Sequence, residues 1–178
     1  MTENERIIEE FIYDYPICEF YNITKNDLVF SDKVRYICEH ECQRYNKSWA
    51  CPPVIGSIEE CMKECDEYDN VFLFTTVAEV SDPLNLTETL DAKKEHERIT
   101  RDVLKKFKSR FNKAMALSTG CMLCEKCAYP DEPCRHPEER LSTIESHGIV
   151  IMQTAANLGI TYDCGNNIVT YFSIVFYS

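Results

Sequence analysis

The chain has 178 residues, of which 44% are hydrophobic and 11% aromatic. These values exclude an intrinsically disordered chain and predict one globular domain that spans residues 1–178. The net charge of -11, from 30 acidic and 19 basic side chains, would repel phosphate groups and therefore argues against a nucleic-acid partner.

Capping signals predict two helices in the first third of the chain. Thr2 and Glu5 form a T-x-x-E capping box ahead of apolar residues at helical spacing, which predicts a helix over residues 2–13. A strand is expected near residues 27–30. A second capping box, S-x-x-E, predicts another helix over about residues 57–69.

The later elements alternate between strands and helices. NVFLFTTVAEV (70–80) has the composition of a buried strand, and AMALST (114–119) reads as the next one. A long helix over about residues 88–111 separates them, and a further helix ends near Leu158 before the closing strand NIVTYFSIVFY. This order predicts an α/β fold with right-handed crossovers: a small mixed or parallel sheet with flanking helices and cysteine-rich metal-binding loops.

The eleven cysteines indicate metal binding, given the expected compartment. The acidic N-terminus, MTENERIIEE, lacks the apolar core of a secretory signal, and the run VFLFTTVAEV is too short to span a bilayer. We therefore expect a soluble, cytoplasmic protein with no membrane partner. The cysteines are odd in number, clustered, and in a reducing compartment, which favours metal or cluster ligation over a disulfide framework.

The segment GCMLCEKCAYPDEPCRHP carries four cysteines in the pattern C-x2-C-x2-C-x6-C. Bacterial ferredoxins use this compact spacing to wrap a cubane cluster, so a [4Fe-4S] cluster is predicted here. The alternative is a structural zinc site, although zinc sites usually take two separated C-x2-C pairs. The segment directly follows the strand 114–119, at the end where α/β sheets place ligands. The predicted ligands are Cys121, Cys124, Cys127 and Cys134.

A second site is predicted at Cys38, Cys42 and Cys51, in the pattern C-x3-C-x8-C-P-P. Its Cys-Pro junction is typical of ferredoxin ligand loops. Three cysteines leave one coordination position unassigned. An open iron position would matter, because it can bind and activate a substrate, whereas a fully ligated cluster mainly moves electrons. Candidates for the fourth position are Cys18, Cys61, Cys65, Cys164, His40 or a small molecule.

A structural role is favoured for the four cysteines outside the two groups. Cys61 and Cys65 are spaced i, i+4 on the predicted helix, which favours a small apolar stripe facing the core. Cys18 and Cys164 are interpreted in the same way. Trp49, two residues before Cys51, is expected to pack over the first cysteine group and limit its exposure to solvent.

The chain resembles a family of uncharacterised, cysteine-rich "predicted metal-binding proteins", the domain of unknown function 2284. The resemblance implies metal binding and no particular reaction or substrate. It covers most of the chain from Cys38 to the end. The matching segments are CEHECQRYNKSWACPP, GCMLCEKCAYPDEPCRHP, STIESHGIVIMQTAANLG and NNIVTYFSIVFYS.

These observations lead to three functional hypotheses. The first is a cytoplasmic iron–sulfur protein with one or two [4Fe-4S] clusters, in electron transfer or redox chemistry with a partner protein. The second is a zinc-stabilised binding module without redox activity. The third is an enzyme that uses an open cluster position at the first cysteine group.

Overall fold

A computed structural model describes residues 2–178. Its helices and strands confirm the α/β class. The helices are α1 (Glu3–Ile12), α2 (Asp32–His40), α3 (Ile58–Asp66), α4 (Leu86–Arg110) and α5 (Ile151–Leu158). The strands are β1 (Glu19–Ile23), β2 (Asn70–Glu79), β3 (Ala114–Ser118), β4 (Ser142–Thr143) and β5 (Ile168–Tyr177). Two 3-10 turns lie at Lys25–Asp27 and Glu145–His147.

Both predicted capping boxes are formed. At the start of α1, Thr2 Oγ1 accepts the Glu5 N–H at 3.2 Å, and the Glu5 carboxylate accepts the Thr2 N–H. Ser57 and Glu60 make the same reciprocal pair at the start of α3. At the other end of the chain, Gly159 adopts φ 68° directly after α5, the left-handed conformation that ends helices.

The five strands form one mixed sheet in the order β1-β2-β5-β3-β4. Only β3 and β4 pair in parallel, while the other three pairings are antiparallel. The last strand, β5, is inserted between β2 and β3, and β2 pairs with it along its whole length, from Asn70↔Tyr177 to Glu79↔Ile168. The sheet is therefore mixed and largely antiparallel.

The sheet is buried on both faces, which explains why β2 reads as a continuous apolar run. Phe72 and Phe74 pack on one face against α1 and α4. Val71 and Leu73 point to the other face, in a core that includes side chains of α3 and α5. Two layers of helices therefore cover the sheet, and no helix within residues 2–178 is long and apolar enough to cross a membrane.

The strand expected at residues 27–30 is wrong. Residues 25–27 form a 3-10 turn instead, because the Asp27 carboxylate accepts both the N–H and the hydroxyl of Thr24 at 2.7 Å. The strand of this region lies earlier, at Glu19–Ile23, and Phe30 makes only an isolated bridge to Ile149. Local side-chain bonding thus replaces the strand with a turn.

The helix α2 is an element that the sequence analysis did not predict. Ser31 caps it by accepting the Lys33 N–H at 3.3 Å. Arg35 fixes it from within the fold, because its buried guanidinium donates to the carbonyls of Ser146 and Gly56. Cys38 lies near the end of this helix, and Cys42 follows two residues after the helix ends.

Candidate metal centre

The four cysteines of the second group surround one cavity. Strand β3 ends at Ser118, and the chain turns at Gly120 before Cys121. A cavity of about 250 Å³ follows, which we call the four-cysteine cavity. The loop therefore leaves the carboxyl end of β3, as predicted. The cysteines that line it are Cys121, Cys124, Cys127 and Cys134.

A buried ion pair on α4 holds both ends of this cysteine loop. Glu97 is completely buried, and Arg101 Nη2 donates to its carboxylate at 2.9 Å. The same carboxylate oxygen accepts the Met122 N–H at 2.8 Å, one residue after the first cysteine. At the far end of the loop, Arg101 Nε donates to the Glu139 carbonyl at 2.9 Å. The pair thus anchors the loop to the long helix.

Sequence reasoning missed Glu97 and Arg101. The signal was present, because Glu97, Arg101 and Leu104 have the i, i+4, i+7 spacing of one helical face. All three are buried. Two opposite charges on a helical face that continues into apolar residues indicate a buried ion pair. Such an ion pair is retained where it also satisfies other polar groups.

The local environment stabilises the thiolate of Cys127. Burial raises the pKa of this thiol, but hydrogen bonds from the backbone of Tyr129, Trp49 and Ala128 and from the Ser48 side chain outweigh it. The net result is a pKa below the ordinary value. Donors from both cysteine segments therefore favour the form of Cys127 that binds metal.

The four-cysteine cavity is positively charged in a protein that is strongly acidic overall. Its lining carries a single carboxylate, Glu125. Positive charge at this place compensates the charge of several thiolates, which would otherwise repel one another. The basic side chains of the lining are Arg44, Lys47, Lys126, Arg135 and Arg140.

The first cysteine group lines a smaller cavity of about 130 Å³, which we call the three-cysteine cavity. Cys38, Cys42 and Cys51 all contribute to it. Burial, together with the charges of Cys42 and Glu145, raises the pKa of Cys38 to about 11. Burial likewise raises the pKa of Cys51. In the protein alone these two thiols are therefore protonated near neutral pH, and binding a metal here would release protons.

The two cavities share a wall. Gly120 lines the three-cysteine cavity, and the next residue, Cys121, lines the four-cysteine cavity. Arg44 lines both cavities and donates to the Cys121 carbonyl at 3.2 Å. Residues 48–50 line the four-cysteine cavity, while Cys51 lines the other one. The two cysteine groups thus form adjoining sites.

The interpretation of Trp49 as a cover for the first group is wrong. Its indole N–H donates to the Glu132 carbonyl at 2.9 Å, and its ring packs edge-on against Tyr129, with centroids 5.1 Å apart. Trp49 therefore lines the four-cysteine cavity. The chain folds back between Trp49 and Cys51, so that neighbouring residues serve different cavities, a reversal that spacing alone does not reveal.

The other cysteines and His40 lie outside both cavities. Cys61 and Cys65 are buried, as the core interpretation predicted. Cys164 accepts a hydrogen bond from Thr170. Cys18 is exposed, so the core interpretation is wrong for this residue. His40 is also exposed, and its ring stacks on Tyr36.

The arrangement is that of cavities and not of a closed single-ion site. Within residues 2–178, no three His, Cys, Asp or Glu side chains meet closely enough to hold one metal ion. What the structure provides is two groups of cysteines, each spread around its own cavity.

Gly120 lines the three-cysteine cavity and directly precedes Cys121, and we expect Gly120→Ala to destabilise the protein. Its φ of 128° belongs to a region that side chains rarely adopt, while an added Cβ would meet only ordinary contacts, 3.5 Å from Thr143 Cγ2 and 3.7 Å from Lys93 Nζ. The cost is thus backbone strain of about 1–3 kcal/mol. Urea unfolding measures this strain. Gly159→Ala is the control, because Gly159 also has a positive φ but lines neither cavity, and metal content should fall only in Gly120→Ala.

Comparison with known proteins gives one match. The comparisons with curated proteins and with solved structures found none. A family model described as "Predicted metal-binding protein (DUF2284)" matches residues 21–177, which include both cysteine groups and every element from β1 to β5 except the first residues of β1. The chain therefore belongs to this family of predicted metal-binding proteins.

Proposed function

We propose that this chain is a cytoplasmic iron–sulfur protein that holds two clusters side by side and transfers electrons to a partner redox protein. The four-cysteine cavity would hold a [4Fe-4S] cluster on Cys121, Cys124, Cys127 and Cys134. The three-cysteine cavity would hold a second cluster on Cys38, Cys42 and Cys51. When bound, such clusters supply one-electron redox chemistry.

The observation that carries this proposal is the shared wall between the cavities. Two consecutive residues, Gly120 and Cys121, line one cavity each, and Arg44 lines both. Two redox centres in adjoining cavities can exchange an electron without a mobile carrier. A structural metal site has no need of a neighbour, so the adjacency favours electron transfer over a purely structural role.

The residues of the four-cysteine cavity fit a cluster better than a zinc ion. In a cubane cluster each of the four thiolates binds a different iron, so the cysteines surround a volume. Zinc instead draws four sulfurs to about 2.3 Å from one point. A cavity of about 250 Å³ suits the former. Its basic lining and the hydrogen bonds to Cys127 are features that raise the reduction potential of a bound cluster.

Anaerobic purification followed by iron and sulfide analysis tests the proposal. We expect about eight iron and eight sulfide ions per chain, from two cubane clusters. Cys124→Ser should reduce both counts to about four, because it removes one ligand of the four-cysteine site. Cys18→Ser is the matched control: its thiol is exposed and lies outside both cavities, so the counts should stay at the wild-type value.

Electron paramagnetic resonance of the reduced protein tests the adjacency itself. Two reduced clusters in adjoining cavities should couple magnetically and broaden each other's signal, and Cys124→Ser should leave one uncoupled signal. Stoichiometric zinc without acid-labile sulfide would overturn the iron–sulfur proposal. Two full clusters with no magnetic coupling would overturn the side-by-side arrangement.

A further inference from the structure

Beyond its three cysteines, the described lining of the three-cysteine cavity holds Tyr45 but no further cysteine or histidine, the side chains that usually bind iron–sulfur clusters. Apart from Cys38, Cys42 and Cys51, none of the described residues that line it is a cysteine, a histidine or a carboxylate. The five remaining candidates for a fourth ligand from the protein lie elsewhere in the fold. A cluster in this cavity would therefore keep one iron whose outer ligand comes from solution.

The rest of the lining favours an anion. Lys93, on α4, reaches into the cavity, and among residues 2–178 its ammonium group forms no hydrogen bond or ion pair. Thr119 and Thr143 line the same cavity. The Thr119 hydroxyl donates to Glu97 Oε1 at 3.4 Å, whereas Thr143 Oγ1 accepts the Ser146 N–H at 2.9 Å, so the Thr143 hydrogen can be donated to a ligand. The cavity thus combines a cation with one hydroxyl donor.

In the part of the chain that the structure describes, no carboxylate forms an ion pair with Lys93. Glu97 and Glu145 both influence the ammonium electrostatically, but neither lines the cavity. Glu97 is already bonded to Arg101 and to the Met122 N–H. The ammonium group lies beside Gly120, since a Cβ at that position would be 3.7 Å from Nζ.

We propose that the three-cysteine cavity binds a small carboxylate, which rests on the cluster assignment proposed above. One carboxylate oxygen would take the iron position that no cysteine fills, and Lys93 would balance the carboxylate charge with help from the Thr143 hydroxyl. The cavity is small, about 130 Å³, and favours a ligand of few non-hydrogen atoms. This site would therefore be the place where a substrate meets the electrons of the adjoining cluster.

Titration of the anaerobic, cluster-loaded protein with acetate tests the proposal, at constant ionic strength. Acetate should change the resonance signal of the reduced first cluster saturably, while acetamide, its neutral analogue of the same size, and chloride should not. Lys93→Met should weaken acetate binding about tenfold or more, because it removes a charge-assisted hydrogen bond. Iron and sulfide contents, determined on the same samples, should match the wild type.

Two matched variants isolate the role of Lys93. Lys94→Met removes the neighbouring, exposed lysine, which pairs with Asp91, and acetate should bind as in the wild type. Lys93→Arg keeps the positive charge and should keep most of the affinity. Glu145→Gln tests the competing possibility that this carboxylate swings in as the fourth ligand, and the resonance signal without acetate should be unchanged.

Four results would overturn the inference. If both clusters are intact and acetate has no effect, the ligand site is ruled out. Equal acetate affinity in the wild type and Lys93→Met also rules it out. Neither result contradicts the electron-transfer proposal. A changed signal in Glu145→Gln before acetate is added assigns the fourth ligand to the protein. A preparation without iron and sulfide overturns both proposals together.

Discussion

Replacing Glu97 by alanine is expected to destabilise the protein by about 3–5 kcal/mol, because Arg101 would remain buried without its partner. The Met122 N–H would lose its acceptor at the same time. We further expect the affinity of the four-cysteine site for its metal to fall about 10–100-fold, the usual effect of removing a group that orients metal ligands. Urea unfolding and metal analysis after dialysis against a chelator measure the two effects.

The same helix offers a control for this substitution. Glu95 also forms an ion pair, with Arg98 at 2.6 Å, but both side chains are more than half exposed. Glu95→Ala should change the stability by at most about 1 kcal/mol and leave the metal content unaltered.

A double variant separates stability from loop anchoring. Glu97→Leu with Arg101→Met removes both buried charges and should recover part of the lost stability. It cannot replace the hydrogen bonds to Met122 and Glu139, so metal affinity should stay low. If Glu97→Ala kept wild-type metal affinity, the pair would be a feature of the fold alone and not an anchor of the cysteine loop.

Local signals in the sequence predicted most of the helices and strands. The capping boxes at Thr2 and Ser57, the apolar run of β2 and the glycine after α5 each specify a conformation within a few residues. The prediction of a strand at residues 27–30 failed because Asp27 bonds to Thr24, a competition that composition does not reveal. The order of the strands in the sheet could not be predicted either, since no local sequence signal places β5 between β2 and β3.

The candidate site, too, could be predicted from the sequence only in part. The cysteines that spacing grouped together line one cavity each, because short loops bring such residues together: Cys121, Cys124, Cys127 and Cys134 line one, and Cys38, Cys42 and Cys51 the other. The groups' adjacency and the approach of Lys93 depend on long-range packing between α4, the end of β3 and the segment after α2. These contacts join residues far apart in the chain, so periodicity and motif spacing do not predict them.

Acidification is expected to destabilise the fold through His96, which is almost completely buried on α4. Its Nε2 lies 3.1 Å from the Phe172 carbonyl, which can only accept, so Nε2 carries the proton. Nδ1 then accepts the Thr76 hydroxyl at 2.7 Å. A second proton would have to enter at Nδ1, in a buried site, and the Thr76 hydroxyl would have to turn from donor to acceptor. Burial is the largest cause that lowers the pKa of His96 from 6.5 to about 4.

The pH range and size of this effect follow from linkage. In the unfolded chain His96 takes up its proton near pH 6.5, while the folded protein resists protonation down to about pH 4. The stabilisation is therefore fully present above pH 6.5 and is lost progressively as the pH falls towards 4. Since one pKa unit corresponds to about 1.4 kcal/mol, the loss amounts to about 3 kcal/mol.

A comparison of variants assigns this loss to one residue. His96→Gln keeps a donor for the Phe172 carbonyl but cannot titrate, so between pH 7 and pH 4 it should lose about 3 kcal/mol less stability than the wild type. Any acid-induced loss of metal is common to both proteins and cancels in the difference. Parallel curves for the wild type and His96→Gln would show that the buried imidazole titrates alike in the folded and unfolded states, against the direction that its burial requires.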